Sequence, residues 1–202
     1  GMSTILVTGA TGQIGASLVK KLLEHGHAVH AFALPNTIHP FLQGSSTGLG
    51  MRMFYGDLLN PEDVRKAMKG CEYVYHVAGL ISYYMLDRKR LHAVNVDGTR
   101  NVLLAAKDLG IKKVVVTVST AGIGIQKDKD HPLDEDEPFD LRRYKQIGYM
   151  YSKHLCILEC KRFAAHGLDV SMVSPTTVYG QGDVTMHVGR LIRDIQQGKV
   201  RS

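Results

Sequence analysis

A glycine-rich turn between a short apolar run and a helical pattern constrains the fold of this chain more than any other feature. The apolar run, Thr4–Val7, has the length of a short buried strand. From Ile14 to His25 the apolar residues recur with helical spacing, and Gly26 then ends the helix. The segment between them, residues 8–15, has the sequence TGATGQIG. A strand, a glycine turn and a helix in direct succession are typical of a site that binds the phosphates of a dinucleotide.

Each of the three glycines in this turn meets a different geometric need of such a site. Gly9 permits the tight turn, Gly12 lets the backbone approach a pyrophosphate, and Gly15 lets the helix pack closely on the strand. The helix N-terminus presents unpaired N–H groups and the positive end of its dipole to the phosphates. We therefore predict that this segment binds a dinucleotide and is more than a structural turn. Its candidate binding residues are Gly9, Thr11, Gly12, Gln13, Ile14 and Gly15.

The rest of the chain repeats this alternation of strands and helices. Further strands are predicted at Ala28–Leu34, Met51–Tyr55, Tyr73–Val77, Val114–Val118 and Val170–Val173. Helices are predicted after the N-cap Asn60 and at about 87–109, 146–165 and 185–197. Such alternation favours a parallel sheet with helices on both faces, and right-handed crossovers make the sheet doubly wound. We therefore expect an α/β fold with a Rossmann-type sheet, in which ligands bind beyond the carboxyl ends of the strands.

Composition excludes several other classes of protein. With 44% hydrophobic residues among 202, the chain can bury a core. Three cysteines are too few for a disulfide scaffold, and no apolar run approaches the roughly 20 residues of a membrane span, so we expect a cytoplasmic protein. The net charge of +6 comes from scattered Lys and Arg, which favours solvated faces over a nucleic-acid site. Cys156 and Cys160 lie one helical turn apart without a second ligand pair, so no metal site is predicted.

Residues at the ends of the third and fourth strands are candidates to line the rest of a cofactor site. Asp57 can accept from the exocyclic amine of adenine while the N–H of Leu58 donates to the ring; alternatively, Asp57 is a turn residue that caps the next segment. The small residues Ala78 and Gly79 leave room for a ribose, and His76 is expected to make a structural hydrogen bond. The cofactor stays open between NAD and NADP, because the end of strand two has neither the acid nor the Arg that would distinguish them.

A reactive group of side chains is predicted at the end of strand five and on the helix that follows it. Ser119 and Thr120 place two hydroxyls at the carboxyl end of the strand, and Tyr149 and Lys153 lie four residues apart, on one helix face. The pKa of a free Tyr is about 10, and a nearby ammonium lowers it by stabilising the phenolate. Such a pair can transfer a proton for a carbonyl or an alcohol while a nicotinamide moves a hydride. Tyr151 points to another face than Lys153 and is not favoured as the phenol.

Seven segments, in order, resemble the extended short-chain dehydrogenase/reductase family, also called the NAD-dependent epimerase/dehydratase family. The resemblance runs from Ile5 to about Asp183. Its segments are TGATGQIG at 8–15, GDL at 56–58, HVAG at 76–79, NVDGT at 95–99, Ser119-Thr120, the pair Tyr149 and Lys153, and PTTVYGQGD at 175–183. The segment STAG at 119–122 is similar to dihydroflavonol-4-reductase-like reductases and related sugar epimerases, and it lacks the acid pair of sugar-nucleotide 4,6-dehydratases.

The resemblance implies roles for the matching positions. Tyr149 resembles the general acid/base, Lys153 its partner, which also bonds the nicotinamide ribose, and Thr120 the hydroxyl on the substrate side. The cofactor site also includes Ser119 and Asn95, and Asn95 resembles the helix residue that supports the site. Pro175 and Val178 resemble the backbone around the nicotinamide.

Three functions remain as hypotheses for such a site. The first is an NAD(P)-dependent oxidoreductase that interconverts a carbonyl and a secondary alcohol of a small molecule. The second is a nucleotide-sugar epimerase, which moves a hydride and returns it, so that no NAD(P)H is consumed. The third is a non-catalytic dinucleotide-sensing protein, which predicts loss of the Tyr/Lys pair that this sequence retains. A homodimer formed through paired helices is typical of the family.

The length of the chain bears on how much of such a protein the sequence contains. Extended family members continue past the segment VYG at 178–180 into a smaller lobe that closes over the substrate, whereas this sequence stops at Ser202. We therefore expect an NAD(P)-binding domain over 2–183 and the start of a largely absent substrate lobe over 184–202. Gly1 is interpreted as a residue left by tag cleavage, and the acidic segment Asp128–Asp140 as a solvated loop.

Overall fold

Six parallel strands form one sheet in this chain, whose computed structural model describes residues 2–37, 42, 50–78, 89, 92–118 and 139–173. The strands are β1 (Thr4–Thr8), β2 (Ala28–Ala33), β3 (Met51–Tyr55), β4 (Tyr73–Ala78), β5 (Lys113–Val118) and β6 (Val170–Val173). Their order across the sheet is β3-β2-β1-β4-β5-β6, and each neighbouring pair is parallel. The carboxyl ends of all six strands therefore lie along one edge, which confirms the predicted Rossmann-type sheet.

Helices cover both faces of the sheet. Those in the described part of the chain are α1 (Gln13–Glu24), α2 (Pro61–Met68), α3 (Gly98–Asp108) and α4 (Phe139–Ala165). The apolar face of α1 packs on one side of the sheet, where Leu18 and Leu22 are buried. The other three helices share a core on the opposite side, to which Met68, Leu103 and Cys160 contribute. None of these helices is long and apolar enough to cross a membrane.

Two helices differ from their prediction. The described part of the predicted helix over 87–109 is a π-helical turn, Ala93–Asp97, followed by α3. A π-helical turn holds an extra residue per turn, so an apolar pattern of period 3.6 does not reveal it. The helix α4 begins at Phe139, before its predicted start near residue 146, so Phe139 and Asp140 belong to a helix and not to a loop. The predicted loop over 128–138 and the predicted helix over 185–197 lie outside the described residues.

Candidate dinucleotide site

The glycine turn joins β1 to α1 at the carboxyl edge of the sheet. Gly9 has a positive φ of 62°, a conformation that other residues rarely adopt. The N–H of Ala10 donates to the carbonyl of Phe32 at 3.1 Å, which ties the turn to β2. A Cβ added at Gly15 would overlap the carbonyl oxygen of Gly9 and lie 2.7 Å from its carbonyl carbon. Gly9 and Gly15 are therefore required by the shape of the turn itself.

Gly12 differs from these two glycines because a side chain there would meet neither backbone strain nor a steric overlap. Its backbone is extended, with φ −74° and ψ 168°, and an added Cβ would contact only the carbonyl oxygen of Gly9, at 3.4 Å. Gly12 is the N-cap of α1, and neither a capping side chain nor an acid in the first turn occupies this end. The N–H groups of the first turn and the positive end of the helix dipole are thus available to an anion. These residues fit the pyrophosphate of a dinucleotide.

The loop after β3 is held by both of the helices α2 and α3. The carboxylate Oδ1 of Asp57 accepts from the N–H of Leu59 at 2.9 Å, which is the turn role that the sequence left as an alternative. The N–H of Asp57 donates to Oδ2 of Asp63 in α2 at 3.1 Å. The carbonyl of Leu58 accepts from Nδ2 of Asn101 in α3 at 2.9 Å. Asp57 and Leu58 therefore have a defined backbone shape at the sheet edge.

A series of buried hydrogen bonds runs through the core from β1 to α4. The ring of His76, which is 1% exposed, lies between two hydroxyls: Nδ1 is 2.7 Å from Oγ1 of Thr8 and Nε2 is 2.9 Å from Oγ1 of Thr99. The N–H of Val77 also donates to Thr8, at 3.1 Å, and the thiol of Cys156 donates to Thr99, at 3.6 Å. Burial lowers the pKa of His76 to about 4, so the imidazole is neutral at pH 7. The structural hydrogen bond predicted for His76 is confirmed.

The π-helical turn lies against α4 beside the predicted reactive pair. The ring of His92, which precedes the turn, stacks on Tyr151 with centroids 6.2 Å apart, and its Nδ1 is 3.4 Å from Oγ of Ser152. Asn95, inside the turn, is 3% exposed, and its Oδ1 has no hydrogen-bond partner among the residues that the structure describes. A buried amide oxygen in this state is uncommon, and a bound ligand or water would complete its hydrogen bonding.

Tyr149 and Lys153 lie in one continuous helix, α4, with the spacing that the sequence predicts. The side chain of Lys153 is partly buried, and burial lowers the pKa of its ammonium below the ordinary value. The side chain of Tyr149 lies outside the described part of the structure. Of the neighbouring residues, Tyr151 is exposed, whereas Ser152 is buried and its hydroxyl is therefore withdrawn from solvent.

The structure describes only part of the predicted site. Gln13 and Ala78 are placed by their backbone alone, at the start of α1 and the end of β4. The predicted site residues that lie outside the described part of the chain are Gly79, Ser119, Thr120, Pro175 and Val178.

Sequence analysis missed Asp63 and Asn101, the two side chains that hold the loop after β3. The available signal for Asn101 was a polar residue beside the buried helix positions Val102 and Leu103. That signal does not identify a partner, because the partner is a backbone carbonyl 43 residues away. Asp63 looks like an ordinary acidic residue of a first helical turn, where the helix dipole favours it.

A known protein family matches almost the whole chain. The sequence pattern of the NAD-dependent epimerase/dehydratase family matches residues 5–202. The chain is 37% identical, over 98% of its length, to sterol demethylase protein B of Methylococcus capsulatus, of which it covers 59%. It is 31% identical, over 88% of its length, to dihydroflavonol 4-reductase of Zea mays, of which it covers 53%. The chain thus spans only a little more than half the length of these relatives.

Solved structures share the fold over most of this chain. One is a UDP-N-acetylglucosamine 4-epimerase from Methanobrevibacter ruminantium, with a TM-score of 0.64 and 26% identity over 84% of this chain and 53% of that one. Another is a short-chain dehydrogenase/reductase superfamily protein from Agrobacterium tumefaciens with bound NAD, with a TM-score of 0.56 and 28% identity over 85% of this chain and 48% of that one.

Proposed function

Because the chain belongs to the NAD-dependent epimerase/dehydratase family, we propose that it binds a nicotinamide dinucleotide and interconverts a carbonyl and a secondary alcohol by hydride transfer. The observation that supports this most is the open, uncapped N-terminus of α1 behind Gly12. Because the chain covers about half of its relatives, the activity and substrate of the whole protein are part of the proposal.

Different residues of the proposed site hold different parts of the dinucleotide. The N–H groups at the start of α1 bind the pyrophosphate, next to Gly12. Asp57 and Leu58 take the adenine, and Ala78 and Gly79 leave room for a ribose. Asn95 supports the nicotinamide side from the π-helical turn. We place this cofactor domain over residues 2–183.

Proton transfer is assigned to Tyr149, with Lys153 and Thr120 as its partners. A bound nicotinamide dinucleotide supplies or takes up the hydride. Tyr149 gives its phenolic proton to the substrate oxygen in reduction and removes it in oxidation. The ammonium of Lys153, one helical turn along the same helix, is the charge that stabilises the phenolate. The hydroxyl of Thr120 holds the substrate oxygen.

A nucleotide-sugar epimerase is the second candidate function. It is favoured by the structural similarity to a UDP-N-acetylglucosamine 4-epimerase. The same proton transfer by Tyr149 serves both reactions, since an epimerase returns the hydride to the other face of the substrate. Consumption of NAD(P)H over the reaction separates the two, because an epimerase shows none.

The choice of dinucleotide and the oligomeric state complete the proposal. At the edge where β2 and β3 end, Leu34 and Tyr55 are exposed and have no charge that could bind a 2′-phosphate, so binding of both NAD and NADP is to be tested.

On α4, Ile147, Met150 and Leu158 are exposed apolar side chains, and they support a homodimer through paired helices. Sedimentation velocity would measure that dimer, and a monomer at micromolar concentration would refute it.

The experiment compares Tyr149→Phe with a matched control, Tyr151→Phe, on the same helix. Titration with NADH and NADPH, followed by nicotinamide fluorescence, measures binding. Assays with aldehydes, ketones and nucleotide sugars measure turnover. Tyr149→Phe is expected to bind the dinucleotide like the unchanged chain and to lose about 100-fold or more in turnover. Tyr151→Phe is expected to retain both.

Two outcomes would contradict parts of the proposal separately. Undiminished turnover by Tyr149→Phe would remove that residue from the acid/base role. Absence of any dinucleotide binding by the unchanged chain would refute the cofactor site at Gly12.

A further inference from the structure

Five successive backbone N–H groups follow β3, and four of them are occupied by the protein. Those of Gly56 and Asn60 donate to the carbonyls of Ala33 and Asp57, both at 2.9 Å. Those of Asp57 and Leu59 donate to carboxylate oxygens. The N–H of Leu58 is the one without a hydrogen-bond acceptor in the part of the chain that the structure describes. The loop therefore leaves a single donor for a ligand.

Two side chains outside the loop determine where this donor points. Asp63, in the first turn of α2, accepts from the N–H just before it, that of Asp57, at 3.1 Å. Asn101, in α3, donates to the carbonyl of Leu58 itself at 2.9 Å. The peptide groups before and after the one that carries this N–H are thus anchored to different helices. The carbonyl of that same peptide group, which belongs to Asp57, accepts from the N–H of Asn60 at 2.9 Å, so a flip that turned the free N–H away would break this bond.

Close packing supports the same arrangement. A Cβ added at Gly98, the first residue of α3, would lie 3.1 Å from Cβ of Leu58. A Cβ added at Gly56 would lie 2.9 Å from Cβ of Asp63. The two glycines allow both helices to approach the loop closely enough for their side chains to reach its backbone. Leu58 also packs against the buried core on this side of the sheet.

We propose that Asp63 and Asn101 are positioning residues that aim the N–H of Leu58 at the adenine ring and so make the chain selective for adenine over other purines. This rests on the proposed function, in which Asp57 and Leu58 take the adenine. Adenine presents an acceptor at ring nitrogen N1, which the N–H of Leu58 can bond. Hypoxanthine carries a hydrogen on N1 and an oxygen in place of the amine. Its N1–H would therefore face the N–H of Leu58, donor against donor, and its oxygen would face the carboxylate of Asp57, acceptor against acceptor.

The test compares binding of NADH with binding of reduced nicotinamide hypoxanthine dinucleotide, which differs at the purine alone. The unchanged chain is expected to favour NADH by roughly fivefold or more, the worth of about one hydrogen bond. Asn101→Asp keeps the size of the side chain but loses the donor to Leu58, and Asp63→Ala loses the acceptor; both are expected to bring this ratio close to one. Asp63→Asn keeps an acceptor oxygen and is expected to keep the ratio.

A matched control separates positioning from general loss of stability. Val102→Ala removes buried volume from α3 next to Asn101 and leaves the hydrogen bonds of Asp63 and Asn101 in place, so it is expected to lower the urea midpoint and to leave the purine ratio unchanged. A purely structural role of Asn101 would weaken both dinucleotides equally, and that result would overturn the proposal. An unchanged chain that binds both dinucleotides equally would also overturn it, whereas one that binds neither would refute the proposed function together with it.

Discussion

Replacement of the glycines at the two ends of α1 is expected to have opposite effects on dinucleotide binding and on stability. At the N-terminal end, Gly12→Ala places a methyl group in van der Waals contact with the carbonyl oxygen of Gly9, at 3.4 Å, on a backbone that any residue adopts. The free energy of unfolding should therefore change by no more than about 1 kcal/mol. The methyl group stands where a pyrophosphate would meet the N–H groups of the first turn, so the affinity for NADH should fall at least about tenfold, or 1.4 kcal/mol.

At the C-terminal end of the same helix, Gly26→Ala should do the reverse. Gly26 has a φ of 85°, and no atom lies within 4 Å of an added Cβ, so strain in the backbone is the dominant cost. An L residue in this conformation costs roughly 1–2 kcal/mol of stability. The affinity for NADH should be unchanged, because Gly26 lies at the end of α1 opposite the phosphates.

Urea denaturation and NADH fluorescence titration of the two variants test this reasoning directly. Gly15→Ala adds a third case, in which the overlap with the carbonyl of Gly9 should prevent folding of the turn altogether. The decisive comparison is a folded Gly12→Ala chain. If it bound NADH as tightly as the unchanged chain, the pyrophosphate could not lie at the N-terminus of α1, and the proposed cofactor site would be wrong.

Two further predictions concern the hydrogen bonds around His76. Burial lowers the pKa of His76 from its ordinary 6.5 to about 4. The contribution of the neutral imidazole to the free energy of unfolding, on the order of 3 kcal/mol, is therefore fully present above pH 6.5 and is lost as the pH falls toward 4. Urea midpoints from pH 7 to pH 5 should fall more steeply for the unchanged chain than for His76→Gln, and parallel curves would contradict the assignment. Thr99→Val leaves Nε2 of His76 without its partner and should cost about 1–3 kcal/mol, whereas Thr99→Ser should retain most of the stability; equal losses in a urea melt would exclude the hydroxyl as the cause.

The strands could be predicted from the sequence because buried parallel strands are short, continuous apolar runs. Each predicted strand is present, within a residue or so of its predicted bounds, and the glycine turn lies where the apolar run Thr4–Val7 gives way to a helix. The π-helical turn Ala93–Asp97 could not be predicted in this way. The extra residue in this turn results from the backbone hydrogen bonding of a π-helix, which does not change the spacing of the apolar residues enough to be seen in the sequence.

Site residues could be predicted from the sequence where only one residue type satisfies the local geometry. The glycines at positions 9 and 15 meet this condition, because their steric requirement is local to the turn. Asp57 does not, since a carboxylate after a strand serves a turn or a ligand equally well, and the turn bond to Leu59 became evident only in three dimensions. Asp63 and Asn101 bond to backbone atoms of another segment of the chain. Because every residue has these backbone atoms, the sequence does not indicate which residue a side chain will bond to.

The central place of β1 in the sheet has a consequence for synthesis of the chain. Of the strands that the structure describes, β1 is translated before the others, and its pairing partner β2 follows at Ala28, but β4, its other neighbour, begins only at Tyr73. The edge of β1 that pairs with β4 along Ile5–Val7 is therefore open while the intervening residues are translated. An open apolar edge of this kind recruits other strands and is exposed to aggregation. Slow codons before β4 would prolong that exposure in the nascent chain, whereas slow codons far enough downstream that β4 has left the ribosomal tunnel would act on a chain in which β1 is already closed on both sides.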